Sequence, residues 1–215
     1  MQQNKTRVLV ECAVMVALAS ALSMLKIYDA PLGGSVTLFS MAPLIAVAFR
    51  QGPRWGFAAS FVYSIIQLLL GLGSVSYVPT ARGIVLCILL DYIIPFTLIG
   101  VAGFFRPASD GAAKSVSNSK RLVLVAAAAL TVCVLRFISH LLSGAVVWYE
   151  ITKAGQWNEL VMKTGMWTYS AIYNASYMIP ETLITLVASP AIAFVLASVG
   201  RDRTGGGKTT PKSPQ

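Results

Sequence analysis

Asp91, Arg136 and His140 stand inside long apolar stretches of this chain, and His140 is its only histidine. An ionisable group at the centre of a bilayer costs at least ~2.5–3.5 kcal/mol on insertion scales, so it normally faces a cavity or a partner. Set near aromatic residues, such groups suit the binding of a polar molecule inside a membrane. His140, Gly144 and Trp148 recur at i, i+4 and i+8 on one helix face, with Arg136 one turn below. Gly144 leaves room there for a ligand or a backbone between imidazole and indole. The plainer alternative for His140 is a hydrogen-bonded bridge between two helices.

Asp91, followed by Tyr92, needs a cationic protein partner or a cationic ligand. Arg136 and protonated His140 both qualify as the protein partner. Tyr169, Tyr173 and Tyr177 form a second i, i+4, i+8 stripe with Asn174 beside it. Asn174 alone reads equally as a helix-bridging amide, a contact worth ~0.6 kcal/mol on average in membrane bundles. Glu181 follows Pro180, near an expected kink where freed backbone groups need partners, and takes a structural role. No catalytic set emerges: the chain has no Gly-x-Ser-x-Gly, no His-Glu-x-x-His and no metal-ligand spacing. Gly205-Gly206-Gly207-Lys208-Thr209 resembles half of a phosphate-binding loop. Asp202 stands where the motif needs glycine, and Pro211 and Pro214 oppose the helix that should follow.

The elements that carry these residues are set by composition. Of 215 residues, 56% are hydrophobic and 12% charged, and the mean hydropathy is +0.70. Soluble domains carry roughly 25% charged residues, so the chain reads as one all-α integral membrane domain, a six-transmembrane-helix bundle over residues 1–200. The spans are expected at 8–26, 36–49, 55–73, 82–105, 121–149 and 166–200. The second is too short to cross a ~30 Å hydrocarbon core upright and is tolerable only if buried in protein. Residues 106–120 read as a flexible Ser/Ala/Gly-rich loop, and 201–215 as a disordered cytoplasmic tail. Lys5 and Arg7 precede an apolar stretch that ends in Ala19-Ser20-Ala21, as in a signal peptide. Glu11 interrupts it and further spans follow, which favours a retained helix.

The net charge of +9 does not point to nucleic acid, because the basic residues lie at helix ends and in the tail. Alternate connections place Lys5, Arg7, Arg50, Arg54, Arg106, Lys114, Lys120, Arg121, Arg201, Arg203, Lys208 and Lys212 on one side. Lys26, Arg82, Lys153 and Lys163 fall on the other. The positive-inside rule then puts both termini in the cytoplasm. Cys12, Cys87 and Cys133 lie in apolar runs and read as buried, inert thiols. Trp148, Tyr149, Trp157, Trp167 and Tyr169, around the last external loop, suit an interfacial belt or an aromatic lid equally. In the first span Ala13, Ala17 and Ala21 form a smooth small-residue ridge, fit for close packing on another span of the chain or on a separate subunit.

Taken together, these blocks resemble the thiamine-specific substrate-binding (S) components of energy-coupling factor (ECF) transporters, the ThiT type, over residues 7–200. The resemblance rests on Ala13-x-x-x-Ala17-x-x-x-Ala21, Leu90-Asp91-Tyr92, His140-x-x-x-Gly144-x-x-x-Trp148 and Tyr169-x-x-x-x-Asn174. It implies an S component that captures thiamine from outside and docks, by the alanine ridge, on a transmembrane coupling subunit served by two ATPase subunits. It also implies a site in which Asp91 is the acid, Tyr92 the tyrosine after it, His140 the imidazole, Trp148 the stacking indole, and Tyr169 with Asn174 the hydrogen-bonding pair. No cofactor and no catalytic residue is expected. Some members carry Glu in place of Asp91, and some have a further stacking Trp near Gly34, where this loop has none. Tyr28, Tyr77 and Trp167 are the candidate replacements. Thiamine fits such a site chemically, since aromatic faces attract its flat cationic rings and a carboxylate offsets the charge. The rival reading is a stand-alone proton-coupled carrier using Asp91, Arg136 and His140 as a relay. Such carriers usually show internal repeats, and none is convincing here. A membrane-embedded enzyme lacks a site.

Overall fold

The computed structural model describes residues 5–30, 33–107 and 117–205, with 199–205 as backbone alone. Helix α1 covers Lys5–Ser23. It leads into strands β1 (Lys26–Asp29) and β2 (Ser35–Thr37), which pair antiparallel with Lys26 opposite Thr37 and Asp29 opposite Ser35. Among the described residues the chain is therefore helical with one small hairpin rather than wholly α. The expected second span does not start at 36. β-branched Val36 and Thr37 extend as strand, and helix α2 forms only over Ala42–Gln51. Its ten residues are buried at Pro43, Leu44, Ile45, Val47, Ala48, Phe49 and Gln51, so protein shelters a segment too short to span.

Helix α3 (Pro53–Leu70) follows, then α4 (Ala81–Phe105), α5 (Asn118–Gly155) and α6, which runs from Met166 to Gly205. The α1, α4 and α5 segments, with Met166–Ser198 of α6, are long and apolar enough to cross a bilayer. Those four helices make the chain a multi-pass membrane protein. Helix α6 passes Pro180 and Pro190 without ending. The helix overruns residue 200 by five residues, and the phosphate-loop-like stretch after Gly205 lies outside the described residues, as does 108–116 of the expected loop.

The core fills one end of the bundle. Val8, Cys12 and Val16 of α1 pack with Leu44, Ile45 and Val47 of α2, Ile99 of α4, Val125 and Val132 of α5, and Ile192 of α6. Glu11, the residue that breaks the apolar run of α1, pairs with Arg50 at 2.8 Å and accepts from Gln51 at 2.9 Å. This contact ties α1 to the end of α2. Ala13, Ala17 and Ala21 face away from it and are exposed, while Cys12, Val16 and Ala19 are buried. The three cysteines are free thiols and buried.

Candidate functional site

At the opposite end the helices part around a cavity of about 610 Å³. Its walls come from α4, α5 and α6 together with the end of α3 and the turn after it, and the hairpin closes one side. The local sequence bends α4 where it must present its acid. Ile88–Ile93 forms a π-turn, with Ile94 N–H bonded to Leu89 O. In that register Leu90 O would look to the N–H of residue 95, which is proline and has none. Ser139 Oγ donates to Leu90 O instead, at 2.7 Å. A second π-turn, Gly144–Trp148, widens α5 beside it. Wide turns of this kind recur at functional sites.

The two turns bring Asp91 against α5. Ser143 Oγ donates to Asp91 Oδ2 at 2.6 Å, and the Trp148 indole N–H donates to the same oxygen at 2.8 Å. His140 Nδ1 lies 3.2 Å from Oδ1. Of the two partners expected for Asp91, the structure uses His140. Arg136 makes neither a hydrogen bond nor an ion pair with Asp91 or His140; its Nη1 points at Met41 Sδ, and its guanidinium lies 4.7 Å from the centroid of the Phe96 ring. The three ionisable groups therefore do not form a continuous relay.

Asp91, Tyr92, His140, Gly144, Trp148 and Tyr169 all line the cavity. Tyr92 is held by its hydroxyl on Gly71 O at 3.0 Å. Tyr169 donates to Thr152 Oγ1 at 3.2 Å and stacks on Tyr173, with centroids 5.8 Å apart. Gly144 makes room chiefly for a helix: a Cβ there would stand 2.2 Å from Ser170 Oγ and 2.9 Å from Asn174 Nδ2.

Asn174 differs from its expected place. It does not line the cavity. Its amide nitrogen donates to His140 O at 3.2 Å and to Ser170 O at 2.8 Å, and its Oδ1 accepts from the Tyr177 hydroxyl. Asn174 thus bonds Tyr177, one helical turn further along α6, and braces the wall behind His140.

Other residues at the site were less visible in the sequence. Ser143 sits at i+3 from His140, and its role needed knowledge of where Asp91 lies. Tyr173 and Tyr177 complete the stripe; Tyr173 donates to Gly33 O at 3.0 Å. Glu181 does not serve the Pro180 kink. It accepts from Thr37 N at 2.6 Å and from Thr37 Oγ1 at 2.8 Å, so it holds the hairpin to α6. No local pattern in residues 26–37 announces that contact.

The aromatic wall near Gly34 has a physical explanation. Gly34 adopts φ +90°, and a Cβ there would lie 2.5 Å from Tyr177 Cε1. Tyr177 occupies the space that a side chain at 34 would need. Of the three candidate replacements, Tyr77 lines the cavity, edge-on to Trp157 at 5.8 Å. Tyr28 and Trp167 do not line it and are exposed.

His140 aside, the lining carries one more carboxylate than Lys and Arg: Asp29, Asp91 and Glu181 against Lys26 and Arg136. A molecule with one positive charge and flat rings would be matched in charge by this wall and in shape by its tyrosines and Trp148.

Comparison with known proteins agrees with this chemistry. The profile of a family described as thiamine transporter protein matches residues 9–199. The chain is 32% identical over 190 residues to the thiamine transporter ThiT of Bacillus subtilis (strain 168), covering 87% of this chain and 91% of that protein. It is 27% identical over 189 residues to the thiamine transporter ThiT of Lacticaseibacillus paracasei, covering 87% of each. Among solved structures, ThiT from Listeria monocytogenes superposes with a TM-score of 0.67 at 20% identity, over 92% of this chain and 97% of that one.

Proposed function

The chain belongs to the thiamine transporter protein family, and we propose that it is a high-affinity thiamine-binding S component of an ECF transporter in the bacterial plasma membrane. It captures thiamine from outside in the cavity between α4, α5 and α6. The observation that carries this reading is the Asp91–Trp148–His140 cluster inside a net-anionic, aromatic-walled cavity. The cavity volume falls within the ~300–1,000 Å³ range of small-molecule sites. Asp91 supplies negative charge to the cation, the indole of Trp148 offers a ring face, and Tyr92, His140 and Tyr169 contribute polar edges. Gly144 and Asn174 act one layer back, letting α5 and α6 approach and bracing His140.

The family is one of transport proteins, and the chain is not an enzyme. Six membrane helices with both termini cytoplasmic best accommodate the basic residues. In that arrangement the exposed ridge of Ala13, Ala17 and Ala21 docks on the transmembrane coupling subunit, and two ATPase subunits on that partner drive release inward. Titration of the purified protein with thiamine, followed by tryptophan fluorescence, tests the reading. Saturable quenching is expected, because Trp148 lies in the wall; no quenching at micromolar thiamine would reject the substrate.

A further inference from the structure

Arg136 and Glu181 are buried ionisable lining groups outside the charge-and-ring site, whereas the lining pair Lys26 and Asp29 is exposed and bonded to each other at 2.9 Å. Arg136 is 6% exposed and Glu181 3%, and both line the cavity. They do not pair with each other. Arg136 Nε is buried without a hydrogen-bond partner among the described residues, and the Nη1 of the same side chain bonds the Met41 sulfur. Leaving a buried charged donor unsatisfied is costly, which marks the position as one completed by something else.

Helix geometry says where this pair lies. His140 and Tyr177 meet edge to face at 6.2 Å, so they share a level of the cavity. Arg136 is four residues before His140 on α5, and Glu181 is four after Tyr177 on α6. Because α5 and α6 run in opposite directions, both steps lead the same way, each about 6 Å deeper at ~1.5 Å per residue. The pair therefore faces the cavity one turn below the imidazole, beside Phe96. A donor that cannot accept and an acceptor that cannot donate, open to one space, suit a hydroxyl group, which does both. Glu181 already accepts two bonds from Thr37, and a carboxylate has about four lone-pair sites, so capacity remains.

We propose that Arg136 and Glu181 form a hydroxyl-reading subsite, which takes the free alcohol arm of the substrate and disfavours its phosphate ester. This rests on the thiamine reading above. The Arg136 guanidinium donates to the alcohol oxygen, and the alcohol proton points to Glu181. A phosphate at the same place would keep the Arg136 contact but set its negative charge against the Glu181 carboxylate.

The test is calorimetric titration of the unaltered protein with thiamine, with an analogue whose hydroxyethyl arm is replaced by ethyl, and with thiamine monophosphate. Glu181→Gln and Arg136→Met are titrated in parallel. Loss of one such bond is worth about tenfold, so the ethyl analogue and the monophosphate should each bind about tenfold or more weakly. Glu181→Gln should narrow the gap between thiamine and its monophosphate, and Arg136→Met should narrow the gap between thiamine and the ethyl analogue. Equal binding of thiamine and the ethyl analogue by the unaltered protein overturns the subsite while leaving thiamine binding intact. Gaps that persist unchanged in both variants overturn it as well. If the variants do not fold, the ligand series on the unaltered protein decides. Failure to bind thiamine at all is a different result, and it removes the functional reading itself.

Discussion

The Trp148 indole N–H donates to Asp91 Oδ2 at 2.8 Å, across 57 residues of sequence. The acid therefore does more than supply charge. It fixes the orientation of the ring that forms the wall, and Ser143 and His140 share the same carboxylate. Charge and stacking surface are coupled through one side chain.

Asp91→Asn should accordingly weaken thiamine binding by more than the loss of one charge contact. Hydrogen bonds to charged groups are worth about 1.5–3 kcal/mol, so a loss of roughly ten- to a hundredfold in affinity is expected. Steady-state anisotropy of Trp148, read in a variant lacking the other three tryptophans, should fall as the indole loses its anchor. Unchanged anisotropy would separate the two roles.

Gly144→Ala should destabilise the contact between α5 and α6, because its Cβ would overlap Ser170 Oγ. Overpacking of this kind costs about 1–3 kcal/mol. Thermal unfolding in detergent should show a lower Tm, and Ser170→Ala in the same protein should restore part of it. Additive losses in the double variant would argue against the contact.

Thr37→Val removes the hydroxyl that donates to Glu181 but keeps the backbone bond. Residues 26–37 should then exchange amide hydrogens faster, with little change in α5. The carboxylate is left one donor short, a cost of about 1–3 kcal/mol.

Ala17→Leu should leave thiamine binding by the isolated protein within about twofold, since surface changes seldom exceed ~0.5 kcal/mol. In liposomes carrying the whole transporter, uptake should fall steeply, because the ridge no longer lets another helix approach closely. Normal uptake would move the docking face elsewhere.

How much of this was legible in the sequence follows from the range of the forces involved. The long helices were, since an apolar run and its punctuation are local. The grouping of Asp91 with His140 and Trp148 was partly so, because polar residues inside such runs stand out. The hairpin was missed because Lys26–Thr37 is short and half-exposed, and its anchor, Glu181, lies 144 residues away. Residues four apart share a face only while the α register is unbroken. The π-turns at Ile88–Ile93 and Gly144–Trp148 shift it, and the reason for the first, a proline opposite an orphaned carbonyl, is readable only once the turn is seen. Asn174 shows the same limit: its residue type signalled a polar site, but which neighbour it served depended on the packing of α5 on α6.

Isothermal titration of thiamine into the purified chain, beside its Asp91→Asn counterpart, tests the central claim most directly. Saturable binding with one thiamine per chain, sharply weakened in the variant, is the result predicted. No binding by the unaltered protein, or equal affinity in both, would contradict the account.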